Sequence, residues 1–202
     1  MIKRKVLIVI TTDFVPYGGL TTVMMNYYRV MNKENLQIDF ASTNDPCDEL
    51  KQELAQNGSK YFDLGSRKYS PMHYMKKLAT VLKMEKYDVI HVNGNSSTMA
   101  MELVTAKLVG VPSRIAHVHT TRSKYPYANV VLHPIFATSY TTALAVSKQA
   151  GDWLYGKNYT LLNNAINTAK YKFNVDVREK MRKKIRIDRE ICDWNCGKVK
   201  PP

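Results

Sequence analysis

A doubly wound α/β domain on a mostly parallel sheet is the fold class this sequence predicts, and three observations predict it. Short all-apolar, β-branched runs such as Val6-Leu7-Ile8-Val9-Ile10 suit parallel strands covered on both faces. Other segments carry apolar residues every three or four positions, the spacing of an amphipathic helix. The two kinds alternate along roughly the first 160 residues, which implies right-handed strand–helix–strand crossovers and a twisted, Rossmann-like sheet.

The elements follow in order. After the Val6–Ile10 strand, Gly18-Gly19 opens a helix to Met31, with Leu20, Val23, Met24, Tyr27, Tyr28 and Met31 on the apolar stripe. A strand at 37–41 precedes a polar helix at 45–56, which Asn57-Gly58 ends with residues that tolerate a left-handed backbone. Tyr61–Leu64 is a short strand. Ser70-Pro71 starts a helix with proline at its first position, running to Glu85. Asp88–Val92 is a strand, 96–109 a helix, and Gly110-Val111-Pro112 a tight exit. Arg114–Val118 and, after a long helical stretch, Ala143–Val146 are strands. A short basic helix is predicted at 176–186, within a tail rich in Lys and Arg from Lys170 onward. The expected organisation is a Rossmann-like domain at 1–168 and a basic helix and linker at 169–202.

Composition narrows the class. The chain has 202 residues, with 30 basic against 17 acidic, for a formal net charge of +13. At 45% hydrophobic content it can bury a core without staples. Its longest apolar run, Val6–Ile10, is too short for a membrane span or a signal-peptide core. Cys47, Cys192 and Cys196 are too few and too odd in number for a secreted disulfide framework, and no second Cys/His pair completes a zinc site beside the last two. These features point to a cytoplasmic chain that holds no metal.

Parallel sheets of this kind bind ligands beyond the carboxyl ends of their strands. Those ends carry Thr11–Gly19, 93–97 and 117–122. Gly18-Gly19 permits close backbone approach to an anion at a helix N-terminus, or makes a tight strand-to-helix turn. His117 and His119 stand two apart, on one face if the strand continues, and read either as ligand contacts or as structural hydrogen-bonding residues. Asn93 and Asn95 flank a helix start that Ser96 or Ser97 would cap. Thr120 and Arg122 extend the same rim. Arg67, Lys68, Lys76 and Lys77 are interleaved with aromatics at a loop–helix junction, a pattern that fits an anionic membrane surface or a plain solvated face. No helix-turn-helix, zinc-finger or RNA-binding pattern accompanies them, so no nucleic-acid partner is expected.

Several of these stretches together resemble a family. Gly18-Gly19-Leu-Thr-Thr-Val-Met-Met-Asn-Tyr-Tyr-Arg29, Tyr87-Asp-Val-Ile-His-Val92, and Gly110-Val-Pro-Ser-Arg-Ile-Ala-His-Val-His119 are similar to bacterial family 4 glycosyltransferases of the exopolysaccharide and capsule type. Ala145-Val-Ser147 and Leu162-Asn-Asn-Ala-Ile-Asn167 resemble that family's serine and hinge signatures. The likeness runs over residues 1 to about 187, in order.

The resemblance implies a GT-B enzyme, with two Rossmann-like domains facing a cleft, the first for the acceptor and the second for the nucleotide sugar. Transfer would be retaining and metal-independent, with no cofactor beyond a UDP-type sugar substrate. The acceptor would be a saccharide or a lipid-linked oligosaccharide at the inner membrane face. By the same resemblance Gly18 and Gly19 face the donor phosphate, and His119 is the active-site histidine. An imidazole and backbone amides at that rim would stabilise charge on the departing diphosphate. Thr21-Thr22 stand where the family often has Glu, and Ala165 and Asn167 replace the hinge Gly and Asp. The family's second domain is not legible in 191–202, so the chain is expected to supply the acceptor half and to be inactive alone. The alternative is a non-catalytic remnant or a binding partner of another transferase.

Overall fold

The computed structural model describes residues 3–168 and 172–184. The chain divides into one compact unit ending at Ile166 and a second starting at Asn167. The first unit runs β1 (Arg4–Ile10), α1 (Gly19–Val30), β2 (Leu36–Ser42), α2 (Asp48–Gln56), β3 (Tyr61–Asp63), α3 (Pro71–Glu85) and β4 (Val89–Gly94). It continues with α4 (Ala100–Val109), β5 (Ser113–Val118), α5 (Pro126–Ala137), β6 (Thr142–Ala145), α6 (Lys148–Leu154) and β7 (Thr160–Leu161). The second unit contains α7 (Val175–Lys184), a basic helix with no buried residue. Cys192, Cys196 and the expected start of a further domain lie outside the described residues.

The strands form one seven-stranded sheet in the order β3-β2-β1-β4-β5-β6-β7, with every pairing parallel. The chain steps outward from β1 to β3, returns through α3 to β4, and then steps outward the other way. Strand order therefore reverses between β1 and β4. The register of β1 shows why both faces are apolar: Leu7 and Val9 join one buried cluster, and Ile8 and Ile10 join the other. The first cluster is completed by α3, α4 and α6, among them Leu78, Leu103 and Leu154, and the second by α1 and α2, through Met24, Tyr28 and Leu54. Each such side chain contributes about 1.5–3 kcal/mol on burial.

Local departures from the sequence pattern have local causes. The helix expected from Ser96 begins as a 3₁₀ turn at Ser97–Met99, because the Ser96 hydroxyl caps the amide of Thr98. β4 runs on to Gly94, where an added Cβ would lie 2.7 Å from Met99 Cγ and 2.9 Å from Thr11 Oγ1, so only glycine fits without displacement. Gly110 ends α4 at φ 90°, a left-handed cap. The helix α6 and strand β7 had no separate signal, being short and partly exposed.

One expectation is corrected. Arg67 is not a surface charge: its side chain is 17% exposed and its Nε donates to Glu102 Oε1 at 2.6 Å, with Nη2 at 3.1 Å from Oε2. Glu102 is wholly buried at the start of α4, and a buried carboxylate demands a paired cation. The guanidinium also donates to the Thr98 carbonyl. Lys68, Lys76 and Lys77 are exposed.

Candidate functional site

The reversal between β1 and β4 marks the place at the carboxyl end of the sheet where folds of this kind bind ligands, and the neighbouring strand ends β1, β4 and β5 bring their polar groups to it. Alternation decides which side chains share a face. Ile8 and Ile10 lie opposite His91 and Asn93 in the β1–β4 register, and Asn93 lies opposite His117 in β4–β5. These residues therefore occupy the α1 side of the sheet.

Three histidines stack there. His91 Nε2 lies 3.2 Å from His117 Nδ1, and the rings of His117 and His119 have centroids 4.2 Å apart. Just beyond β5, His119 is anchored twice, its backbone N–H donating to the Gly94 carbonyl and its Nε2 lying 3.0 Å from Asn93 Oδ1. The Asn93 amide nitrogen donates to the His91 carbonyl at 3.2 Å, which turns the Asn93 oxygen toward His119. Nε2 of His119 then carries the proton, and Nδ1 keeps its lone pair.

Burial keeps this group neutral. It lowers His119 to a pKa of about 4, His91 to about 3 and His117 to about 2, and repulsion from a charged His119 acts in the same direction on the other two. Among the described residues no three His, Cys, Asp or Glu side chains are placed to hold a metal ion.

The loop into α1 follows the carboxyl end of β1, whose Thr11 bonds the Asn93 carbonyl. The Gly18 amide donates to the Val15 carbonyl at 2.9 Å and closes a turn, so the amides open to an anion begin at Gly19. An added Cβ on Gly18 would crowd Thr21 Oγ1 and Val15 at 3.2 Å, whereas one on Gly19 would meet nothing within 4 Å. Among the described residues, Thr21 Oγ1 in α1, Asn95 Oδ1 after β4 and His117 Nε2 in β5 are buried polar atoms without a hydrogen-bond partner, as is Tyr74 Oη in α3. Such atoms are costly unless water or a ligand completes them.

A family model for Glycosyltransferase Family 4 matches residues 17–170. The chain belongs to that family. It is 27% identical over 149 residues to the protein assigned as the glycosyltransferase EpsF of Bacillus subtilis (strain 168), covering 70% of this chain and 38% of that one. In fold it is similar to HepE from Anabaena in complex with UDP and glucose, with TM-score 0.66, 15% identity, and coverage of 91% of this chain and 50% of that one. It is also similar to UDP-GlcNAc 2-epimerase from Neisseria meningitidis bound to UDP-GlcNAc, with TM-score 0.55, 12% identity, and coverage of 90% and 53%. The family 4 chain thus spans about half the length of these structures and carries one of the two Rossmann-like halves of a GT-B fold. The same sheet occurs in an epimerase, so it is the family match that fixes the class.

Within this family 4 chain the rim brings together Asn93, Asn95, His117 and His119. Thr120 and Arg122 are exposed and bond mainly to each other, Thr120 Oγ1 donating to the Arg122 carbonyl at 2.8 Å. Lys68, Lys76 and Lys77 belong to the β3–α3 region and not to the rim. Thr11 and Thr21 carry polar roles that the sequence pattern did not assign as site positions, and His91 joins the group from within β4. Thr11 bonds the Asn93 carbonyl through both its amide and its hydroxyl. Only the strand order shows that β1 and β4 are neighbours, so spacing along the chain held no signal for that contact.

Proposed function

We propose that this chain is the acceptor-side half of a sugar transferase. It would act in exopolysaccharide or capsule biosynthesis, moving a hexosyl group from a UDP-type nucleotide sugar to a saccharide or lipid-linked acceptor. Transfer would be retaining and metal-independent, the acceptor hydroxyl attacking the anomeric carbon on the side from which the diphosphate leaves.

The observation that carries this reading is the neutral His119, locked by Asn93 just beyond the carboxyl end of β5. With its N–H donated to Asn93, His119 offers a lone pair. It is therefore suited to accept a hydrogen bond from a sugar hydroxyl, and unsuited to donate to a phosphate. Stabilising the departing diphosphate falls instead to the amides from Gly19 onward, where the helix dipole favours negative charge. The unpartnered Thr21 hydroxyl and Asn95 carbonyl supply further hydroxyl-directed contacts.

An NMR titration of the chain with saccharide and lipid-linked oligosaccharide acceptors tests the assignment. Saccharide should shift resonances of Asn95, Thr21 and His119 together. Shifts confined to surfaces away from the rim would sink it. Incubated alone with UDP-sugars, the chain should release no UDP, and turnover would show that no second half is needed.

A further inference from the structure

The sheet has an open edge beside a cationic flank of α3. β3 stands at the end of the strand order, and among the described residues β2 is its only strand partner. The Lys60 carbonyl accepts from the Phe40 amide, and the Leu64 amide donates to the Ser42 carbonyl, both across to β2. Successive residues of a strand turn their backbone groups to alternate sides, so those of Tyr61 and Asp63 point away from β2. Outward-pointing groups of this kind are a template for a further strand.

Alongside this edge, an open groove of about 560 Å³ runs between β3 and α3. It is apolar at Phe62, Leu64 and Val81 and cationic at Lys76 and Lys77, with His73 and Thr80 beside the lysines. The last four stand at i, i+3, i+4 and i+7 of α3, one row round from the buried Tyr74, Leu78 and Leu82. The one carboxylate in the lining, Asp63, has its Oδ1 engaged by the Gly65 amide. Lys77 reaches the strand edge itself, its Nζ lying 3.4 Å from the Asp63 carbonyl oxygen.

We propose that the β3 edge is a docking site for an extended acidic segment of a partner protein. The segment pairs its main chain with Tyr61 and Asp63 as an added strand, and alternate side chains enter the groove. Acidic ones meet Lys76 and Lys77, and apolar ones cover Phe62 and Val81. Short edge strands and lysines also guard a sheet against chance pairing. Lys77 is such a guard, since it occupies the Asp63 carbonyl, and a carboxylate is the group that draws it off and frees that acceptor. Charge therefore selects the occupant. A basic or neutral strand leaves Lys77 in place, and a second copy of this chain, at net charge +13, brings no excess of acid. The site stands on β3 and α3, and holds whether or not the rim transfers sugar.

The test titrates a capped octapeptide of alternating glutamate and valine into the ¹⁵N-labelled 202-residue chain. Amide resonances of Tyr61, Phe62 and Asp63 should shift together, and the Tyr61 N–H should become protected from exchange with solvent. The same peptide N-methylated at alternate residues keeps its charge but loses main-chain donors, and should bind at least tenfold more weakly. The variant Lys76→Glu/Lys77→Glu should bind the glutamate peptide tenfold or more weakly and gain affinity for a lysine–valine one. Its melting temperature should be unchanged, since both side chains face solvent. No shift of the β3 amides at about 1 mM peptide, or full binding by the charge-reversed variant, would overturn the proposal. Equal binding of the methylated peptide would also overturn it, by assigning the attraction to charge without strand pairing.

Discussion

At the rim, the Asn93 carboxamide holds His119 by its Nε2–H and is itself held by the His91 carbonyl. Replacing Asn93 with Ala should release that tautomer and leave a buried imidazole short of a partner, at about 1–3 kcal/mol of stability. The ¹⁵N shifts of the ring would report it: one tautomer in the parent chain, a mixture in Asn93→Ala. An unchanged tautomer would show that something other than Asn93 sets it. The three histidines also make stability depend on acid. Their folded pKa values lie below the ordinary 6.5, at about 4 for His119, 3 for His91 and 2 for His117. The unfolded chain therefore takes up protons first. Their neutral-state contribution is complete above about pH 6.5 and is lost as pH falls toward 4, by roughly 1.4 kcal/mol per pH unit for each histidine titrating independently. Urea midpoints measured from pH 7.5 to 4.5 should fall, and His117→Asn should flatten the slope.

Among the elements, the joint between the β3–α3 loop and α4 rests on Arg67 and Glu102. Arg67→Ala strands a wholly buried carboxylate and should cost about 3–5 kcal/mol, whereas the double change Arg67→Met/Glu102→Leu should recover most of it. Equal losses in the two variants, read by urea melts, would mean that the pair is not the source. At the end of β4, Gly94→Ala would press a methyl against Thr11 and Met99 and should cost about 1–3 kcal/mol. The same change should disturb His119, whose amide bonds the Gly94 carbonyl. Element identity was legible because apolar periodicity is a local property, as at Val6–Ile10 and along α1. The exposure of α5 was not. A run as apolar as Val130-Val131-Leu132 reads as core until Phe136 is seen to take the buried face and Asn129 to bond the Ser97 amide.

At the scale of the whole molecule, both apolar clusters are built, among the described residues, from ones no later than Tyr159, and α7 has no buried residue. A chain ending at Ile166 should therefore melt within about 2 °C of the parent, no more than the shift that 1 kcal/mol produces at this size. A large drop, by calorimetry, would show that the second unit supports the first. The sequence by itself determined the alternation of strand and helix, the parallel sheet, the family and the excess of positive charge, since each is carried by residue type and near-neighbour spacing. Only the tertiary structure decided that Arg67 turns inward to Glu102 and that Asn93 fixes the proton of His119. It alone also showed that Gly18 closes a turn while α5 presents valines to solvent. Each of these depends on which strands and turns become neighbours, and that pairing joins residues as far apart as Thr11 and Asn93, whose contact no local pattern encodes.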